Sequence, residues 1–264
     1  MESLRAQYRG EASRRGVNPR DVDLLLADLL GRPLPYLLAH GEQKVDPAPL
    51  AAALRRRFAG EPLQYIRGRT EFFGREFTVD DRVLIPRPET ELVVETAIER
   101  IERNARVVDV GTGSGCIAVT LALERPDLHV VGSDSSVAAL ALASRNAAGR
   151  VELAASDVLA AFVGNFDWIV SNPPYIAEAD LQTLGPEVRE HEPLVALTPG
   201  PAGTETIARI LDQAGRAAVI LEIGFGQESA VRDIAAAHHF TVEEVRADLA
   251  GIPRVIVLSR HGCE

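Results

Sequence analysis

The spacing of apolar residues changes period near residue 70, and that change divides the chain. Before it, apolar side chains recur at helical intervals. "DVDLLLADLLG" (21–31) has this spacing and stops at Gly31. "DPAPLAAALRRRFAG" (46–60) opens with Asp46 as a cap candidate and Pro47 in the first turn, and closes at Gly60. "EPLQYIRG" (61–68) predicts another short helix, so residues 1–67 read as a helical segment. In "RTEFFGREFTVDDRVLIPRPET" (69–90), two aromatic or β-branched runs flank Gly74 and predict a hairpin. From Pro88 onward, apolar runs alternate with helical patterns. The strands expected are 106–110, 129–133, 151–155, 167–170, 217–222, 241–245 and 254–258. Such alternation implies an α/β fold with a parallel sheet covered on both faces. The last two strands lie close together after a helix, which predicts an antiparallel edge pair. The expected division is a helical segment 1–70, a β-hairpin linker 71–86 and an α/β domain 87–264.

Composition narrows this little. The 264 residues allow one large core or two domains, and 46% hydrophobic with 25% charged is ordinary for a soluble globular chain. No apolar run approaches the roughly 18 residues of a membrane span, and "MESLRAQYRGEASRRG" lacks a signal core, so a cytoplasmic protein is expected. Cys116 and Cys263 are the only cysteines, which excludes a disulfide scaffold and a structural zinc site; no metal is expected. Charge is uneven: residues 1–70 hold 12 Arg/Lys against 8 Asp/Glu (+4), and the remainder holds 16 against 30 (−14). A net acidic chain predicts no stable nucleic-acid binding, and the arginines of the first segment read as a solvated helical surface.

"RVVDVGTGSGCIAVTLALE" (106–124) is an apolar strand, a glycine turn and a helix expected to begin near Ser114. Gly111, Gly113 and Gly115 permit positive φ and close approach of a ligand to the backbone. The spacing is G-x-G-x-G, with Cys116 where a dinucleotide fingerprint needs its last glycine. Asp109, just before the turn, opposes a pyrophosphate but suits a cationic amino group such as that of S-adenosylmethionine. Asp134, 23 residues beyond Gly111, fits a carboxylate that binds ribose hydroxyls, and Asp157 could accept from an adenine amino group. The alternative is that these carboxylates cap helices, as Asp134 would before Ser135.

"IVSNPPYI" (169–176) leaves a strand through a stiff, donor-poor turn, because each proline lacks an N–H and restricts its predecessor. A planar –NH2 is a poor nucleophile with two N–H donors. Asn172 Oδ1 and the Pro173 carbonyl can accept both hydrogens and stabilise the positive charge that grows on the nitrogen. Tyr175 can stack on the planar group.

This combination resembles the class I, S-adenosylmethionine-dependent methyltransferases that act on planar nitrogens. Within them it is most similar to the release factor glutamine N5-methyltransferases (PrmC/HemK family). The resemblance spans nearly the whole chain and rests on "PLQYIRG" (62–68), "IPRPETE" (85–91), "VVDVGTGSGCIA" (107–118), "SNPPYI" (171–176), "EHEPLVAL" (190–197) and "LEIGFGQ" (221–227). It implies a Rossmann-like, seven-stranded methyltransferase domain behind a small helical domain; that segment's shortness, hairpin junction and different charge predict that it docks the protein substrate. It also implies transfer of a methyl group to the glutamine of a Gly-Gly-Gln motif in peptide chain release factors, with S-adenosyl-L-homocysteine as product. By that resemblance Gly111, Thr112, Gly113, Ser114 and Gly115 line the cofactor, Asp134 binds its ribose, and Asp157 with Val158 meets its adenine. Asn172, Pro173, Pro174 and Tyr175 would hold the glutamine. Arg87, Glu89 and Thr90 belong to a loop over the cofactor, or else cap the helix that follows.

The rival reading is an N-methyltransferase acting on exocyclic amino groups of nucleic-acid bases, which pose the same chemical problem. The helical segment lacks aromatic residues interleaved among basic ones, which disfavours it. His191 reads as a capping or loop residue, His238 and His239 as a helix end, and Cys116 as a packing residue.

Overall fold

The computed structural model describes residues 1–260; Cys263 lies outside them. The chain forms two compact units, one of Met1–Arg69 with Gly185–His191, the other of Thr70–Leu184 with Glu192 onward. The first unit holds α1 (Glu2–Arg14), α2 (Pro19–Leu30), α3 (Leu34–Ala39), α4 (Pro47–Phe58) and α5 (Leu63–Arg67). Asn18 caps α2 by accepting from the Arg20 N–H at 3.0 Å, and Gly31 ends it in the left-handed conformation. Asp46 caps α4 by accepting from the Ala48 N–H at 3.0 Å, as its position predicts. Apolar faces of these helices meet around Val22, Leu26, Leu37, Leu50 and Leu54, all buried.

Residues 185–191 join this unit although sequence places them inside the α/β domain. Arg57 is the physical reason. Its buried guanidinium donates to Asp21 at 2.8 Å and to Glu187, 130 residues away, at 2.7 Å. A buried cation needs such partners, because leaving the Arg57 guanidinium unpaired would cost several kcal/mol.

A hairpin follows, β1 (Arg69–Phe72) and β2 (Arg75–Thr78), which from Thr70 onward belongs to the second unit. Its two-residue turn puts both Phe73 (φ 52°) and Gly74 (φ 68°) in the left-handed region, the twist a tight hairpin needs. There follow α6 (Glu91–Arg100), β3 (Arg106–Val110), α7 (Cys116–Glu124), β4 (His129–Asp134), α8 (Val137–Ala147), β5 (Glu152–Ala155) and β6 (Trp168–Ser171). After α9 (Pro186–His191, part of the first unit) come α10 (Leu194–Leu197), α11 (Glu205–Gln213), β7 (Ala218–Glu222), α12 (Glu228–Ala237), β8 (Thr241–Ala247) and β9 (Pro253–Ser259).

All seven expected strands form one sheet, in the order β5-β4-β3-β6-β7-β9-β8. The first five are parallel; β9 runs antiparallel between β7 and β8, as the edge pair predicted. Most boundaries shift by one or two residues. Helix α7 begins at Cys116, not near Ser114, because Gly115 at φ 82° precedes it in a left-handed conformation. Strand β6 runs on to Ser171.

Alternation along each strand feeds two cores. Val107, Val170, Ile220 and Val255 pack with α6 and α7 on one face; Val108, Val110, Ile169, Val219 and Ile256 pack with α11 and α12 on the other. A slip of one residue would swap the two sets, and each fully buried aliphatic is worth roughly 1.5–3 kcal/mol, so the register is firmly set. Among the described residues, no helix is long and apolar enough to cross a membrane.

Candidate active site

The order of the sheet reverses between β3 and β6: β4 and β5 lie to one side of β3, and β7 lies beyond β6. In an open α/β sheet, such a switch point leaves a crevice at the carboxyl ends of the two strands. Both sequence signals exit there, because the glycine turn follows β3 and the Asn-Pro-Pro-Tyr turn follows β6. The Ser171 hydroxyl donates to the Val110 carbonyl at 2.6 Å and ties the two exits together. A cavity of about 270 Å³ opens between them, lined by Thr90, Gly111 to Ser114, Asp134, Asp157, Val158, Asn172 and Pro174 among others.

The glycine turn presents backbone to this cavity. Gly111 has φ 73° and nothing within 4 Å of where a Cβ would stand, so only a glycine leaves that wall bare and unstrained. The Gly113 N–H donates to Asp134 Oδ2 at 2.9 Å, and Asp134 Oδ1 accepts from the Ser136 N–H at 2.8 Å. Asp134 is therefore a cavity residue that also fastens the turn; the side-chain cap of α8 is Ser136, which accepts from the Ala139 N–H. Gly115 does not line the cavity. A Cβ on it would stand 3.4 Å from that of Ala143, so it is the packing glycine that lets α7 approach α8.

Asp109 corrects the sequence reading. It is fully buried beneath the turn and absent from the cavity wall, with Oδ2 accepting from the Thr112 hydroxyl at 2.6 Å and the Ala118 N–H at 3.1 Å. Burial pushes its carboxyl up to about 7, against the pull of those two donors. It props the turn from below. On the far wall, Asp157 pairs with Arg209 at the surface and so is already engaged, while Val158 holds φ 56°. That is a strained conformation for a β-branched residue, of the kind that persists where a ligand wall requires it. Cys116 is a packing residue whose thiol burial pushes up to about 12.

The Asn-Pro-Pro-Tyr turn is split by the fold. Asn172 and Pro174 face the cavity; Pro173 and Tyr175 do not line it. Asn172 Nδ2 donates to the Thr90 hydroxyl at 2.9 Å, and Thr90 in turn donates to Glu222 Oε2 at 2.7 Å. The Tyr175 hydroxyl donates to the other Glu222 oxygen at 3.3 Å, and burial beside that carboxylate raises its pKa well above the usual tyrosine value. In this structure Tyr175 is thus anchored behind the turn. Burial pushes Glu222 up to about 7, helped by Glu89 and opposed by Thr90, Tyr175 and Arg254. Thr90 makes no cap bond to α6, so the capping alternative for it does not hold. Arg87 donates to buried Glu192 at 2.6 Å and Glu89 is exposed; neither lines the cavity.

Sequence reasoning missed two residues here, Glu222 and Gln227. Gln227 Nε2 donates to the Tyr175 carbonyl at 2.8 Å and the Gly203 carbonyl at 3.1 Å, while its Oε1 accepts from the Gly224 N–H at 2.8 Å. It holds the turn from outside. The available signals were a carboxylate closing the apolar strand "AVILE" and the glutamine of "GFGQ". A Cβ on Gly203, at φ 76°, would stand 2.7 Å from the Tyr175 oxygen and 2.9 Å from the Ala177 nitrogen. Gly203→Ala should therefore cost about 1–3 kcal/mol of stability and disturb the turn, seen as a lower Tm together with slower turnover. An unchanged Tm and rate would show that this contact is soft.

Comparison with known proteins agrees with this layout. Residues 88–186 match the family model described as Methyltransferase small domain, and residues 6–68 match the PrmC N-terminal domain. A release factor glutamine methyltransferase of Nitratidesulfovibrio vulgaris is 43% identical, covering 83% of this chain and 79% of its own. Another, from Koribacter versatilis, is 41% identical over 91% of each chain. Among solved structures, a chain of the E. cuniculi Mtq2–Trm112 complex, responsible for methylation of the eRF1 translation termination factor, superposes with a TM-score of 0.53. It is 20% identical and covers 68% of this chain and 99% of that one, a likeness of fold. Identity above 40% sustained across nearly the whole length, with both parts of the chain matched, places this chain in the release factor glutamine methyltransferase family.

Proposed function

We propose that the chain transfers a methyl group from S-adenosylmethionine to the side-chain amide nitrogen of the glutamine in the Gly-Gly-Gln motif of peptide chain release factors, and that Asn172 presents that nitrogen. The observation that carries the reading is Asn172 itself. Its Nδ2 is committed to Thr90. Among the described residues none donates to its Oδ1, the amide's acceptor, and Asn172 stands at the wall of a cavity whose other side is the glycine turn.

The residues present suit such a cofactor. A bare backbone cradle at Gly111 and Gly113 accepts close approach, Asp134 offers carboxylate oxygens for hydroxyl groups, and Val158 with Ile117 supplies apolar wall. When bound, S-adenosylmethionine supplies an electrophilic methyl group on a sulfonium. The chain's part is to position the nucleophile. A glutamine side-chain nitrogen has its lone pair delocalised into the carbonyl, so its attack needs orientation and relief of the developing positive charge. Asn172 Oδ1 accepts one of its hydrogens, holds the nitrogen in line and stabilises that charge, without acting as a strong base. Tyr175 and Gln227 keep the turn rigid. Arg87 and Glu89 bear on the partner, and residues 1–70 dock it. Asp109 supports the turn and does not touch the ligand.

The deciding experiment incubates the full chain and labelled methyl donor with purified release factor, DNA or RNA, and maps the product by mass spectrometry. Label on the glutamine is expected; label chiefly in nucleic acid supports the base-modifying reading instead. Cofactor affinity gives a separate check. Asp134→Ala removes a charged acceptor worth about 1.5–3 kcal/mol, so calorimetry should show binding weakened roughly 10- to 100-fold. Because Asp134 also holds the Gly113 N–H, part of that loss is a loosened turn, and Asp134→Asn, which keeps one acceptor oxygen, should fall between. Unchanged affinity in Asp134→Ala would remove Asp134 from the site.

A further inference from the structure

We propose that Thr90 and Glu222 are positioning residues that fix which way the Asn172 amide points, an inference that rests on Asn172 being the acceptor for the substrate nitrogen. Three separate elements bring the group together. Thr90 ends the turn before α6, Glu222 closes β7, and Asn172 follows β6, whose Ser171 pairs with Leu221 of β7. Thr90 and Glu222 are 2% and 1% exposed, so water does not compete for their bonds.

The logic lies in the donor inventory. A threonine hydroxyl has one hydrogen and two lone pairs, whereas an ionised carboxylate only accepts. Above pH 7 Glu222 is mainly ionised, and the Thr90 hydrogen then goes to Glu222 Oε2, at 2.7 Å. What Thr90 then offers Asn172 is a lone pair, and the group that can meet it is Nδ2, at 2.9 Å. A flipped amide would set Oδ1 against an oxygen whose only hydrogen is spent. With Glu222 ionised, as at the pH 8 of the test below, the chain Glu222–Thr90–Asn172 admits one orientation, with Oδ1 left for the substrate. Tyr175 satisfies the second carboxylate oxygen at 3.3 Å, so the charge that sets the polarity is itself held in place. A buried carboxylate is costly as a mere tie between strands, since an apolar residue would serve there at less expense. Its polarity gives it a use that packing alone does not.

The test compares Thr90→Val, which keeps the shape without the hydroxyl, Thr90→Ser, which keeps the hydroxyl, and Glu222→Gln, whose amide can donate to Thr90 and so reverse the chain. Asn172→Ala is the reference. Each full-length variant is assayed at pH 8 with intact release factor and saturating methyl donor, beside calorimetric cofactor affinity and a thermal melt. Thr90→Val and Glu222→Gln should each lower kcat about 10- to 100-fold, as loss of a group that orients a reacting residue commonly does, with cofactor Kd within about threefold. Thr90→Ser should restore most of what Thr90→Val loses. Adding Thr90→Val to Asn172→Ala should cost no further rate, because the orientation no longer matters once the amide is gone. If one replacement fails to fold, the other carries the test. Full turnover in either folded variant, or a further loss in the double variant, overturns the positioning role while leaving the proposed activity intact. Full turnover in Asn172→Ala would instead overturn the acceptor reading on which the role depends.

Discussion

Asn172→Ala is expected to lower methyl transfer about 10²- to 10³-fold while leaving cofactor affinity within a few fold, the cost typical of removing one oriented bond that strengthens in the transition state. The side chain touches the cavity through its amide, and the backbone at 172 is set by the prolines after it, so truncation should spare the fold. Asn172→Asp is more discriminating. It keeps the size and an acceptor oxygen, but it puts a second carboxylate against Thr90, whose single hydrogen Glu222 already takes. Its rate should fall between the parent and Asn172→Ala. Initial rates with labelled methyl donor, set beside calorimetric Kd, separate the two effects. A rate within threefold of the parent for Asn172→Ala would remove this residue from the chemistry.

Most of the fold was legible in sequence because it rests on local periodicity. The seven strands announce themselves as apolar runs between helical patterns, and the antiparallel end follows from two runs set close together. What sequence concealed has two physical sources. One is contact between distant positions: nothing near 185–191 reveals that Glu187 meets Arg57 in the helical unit. The other is side-chain direction. Asp109 next to a glycine turn reads as a ligand, yet it shares strand parity with Val107, which packs under α7, and so its carboxylate points beneath the turn toward the Ala118 N–H. The same parity places Glu222 with Ile220 on the α6 face, where Thr90 stands. Tyr175 shows the limit of a motif in another way: its place in the turn was plain, but its hydroxyl partner comes from the next strand. The cavity wall was therefore legible in part, through the glycine turn, Asp134, Asp157, Val158, Asn172 and Pro174, while the hydrogen-bond network behind it was not.

Replacing the glutamine of the Gly-Gly-Gln motif in the partner should eliminate methyl incorporation altogether. A change to glutamate keeps the length and removes both N–H groups. It also sets a negative charge against Asn172 Oδ1, an acceptor with nothing to receive. A change to asparagine keeps the amide but withdraws the nitrogen by one methylene, more than 1 Å. A misplacement of that size can alone cost about 10² in rate, so asparagine should react feebly where glutamate does not react. The contrast matters more than either loss. Were the partner's overall shape the deciding factor, both replacements would dock and label alike at some other residue. Were the reacting group a base amino nitrogen, label would persist in nucleic acid whatever happened to the partner. Graded loss from glutamine to asparagine to glutamate, measured as methyl groups per partner by mass spectrometry, is the outcome that a neutral acceptor at the end of β6 requires. Label of equal extent in all three partners would show that the transferred methyl group goes elsewhere.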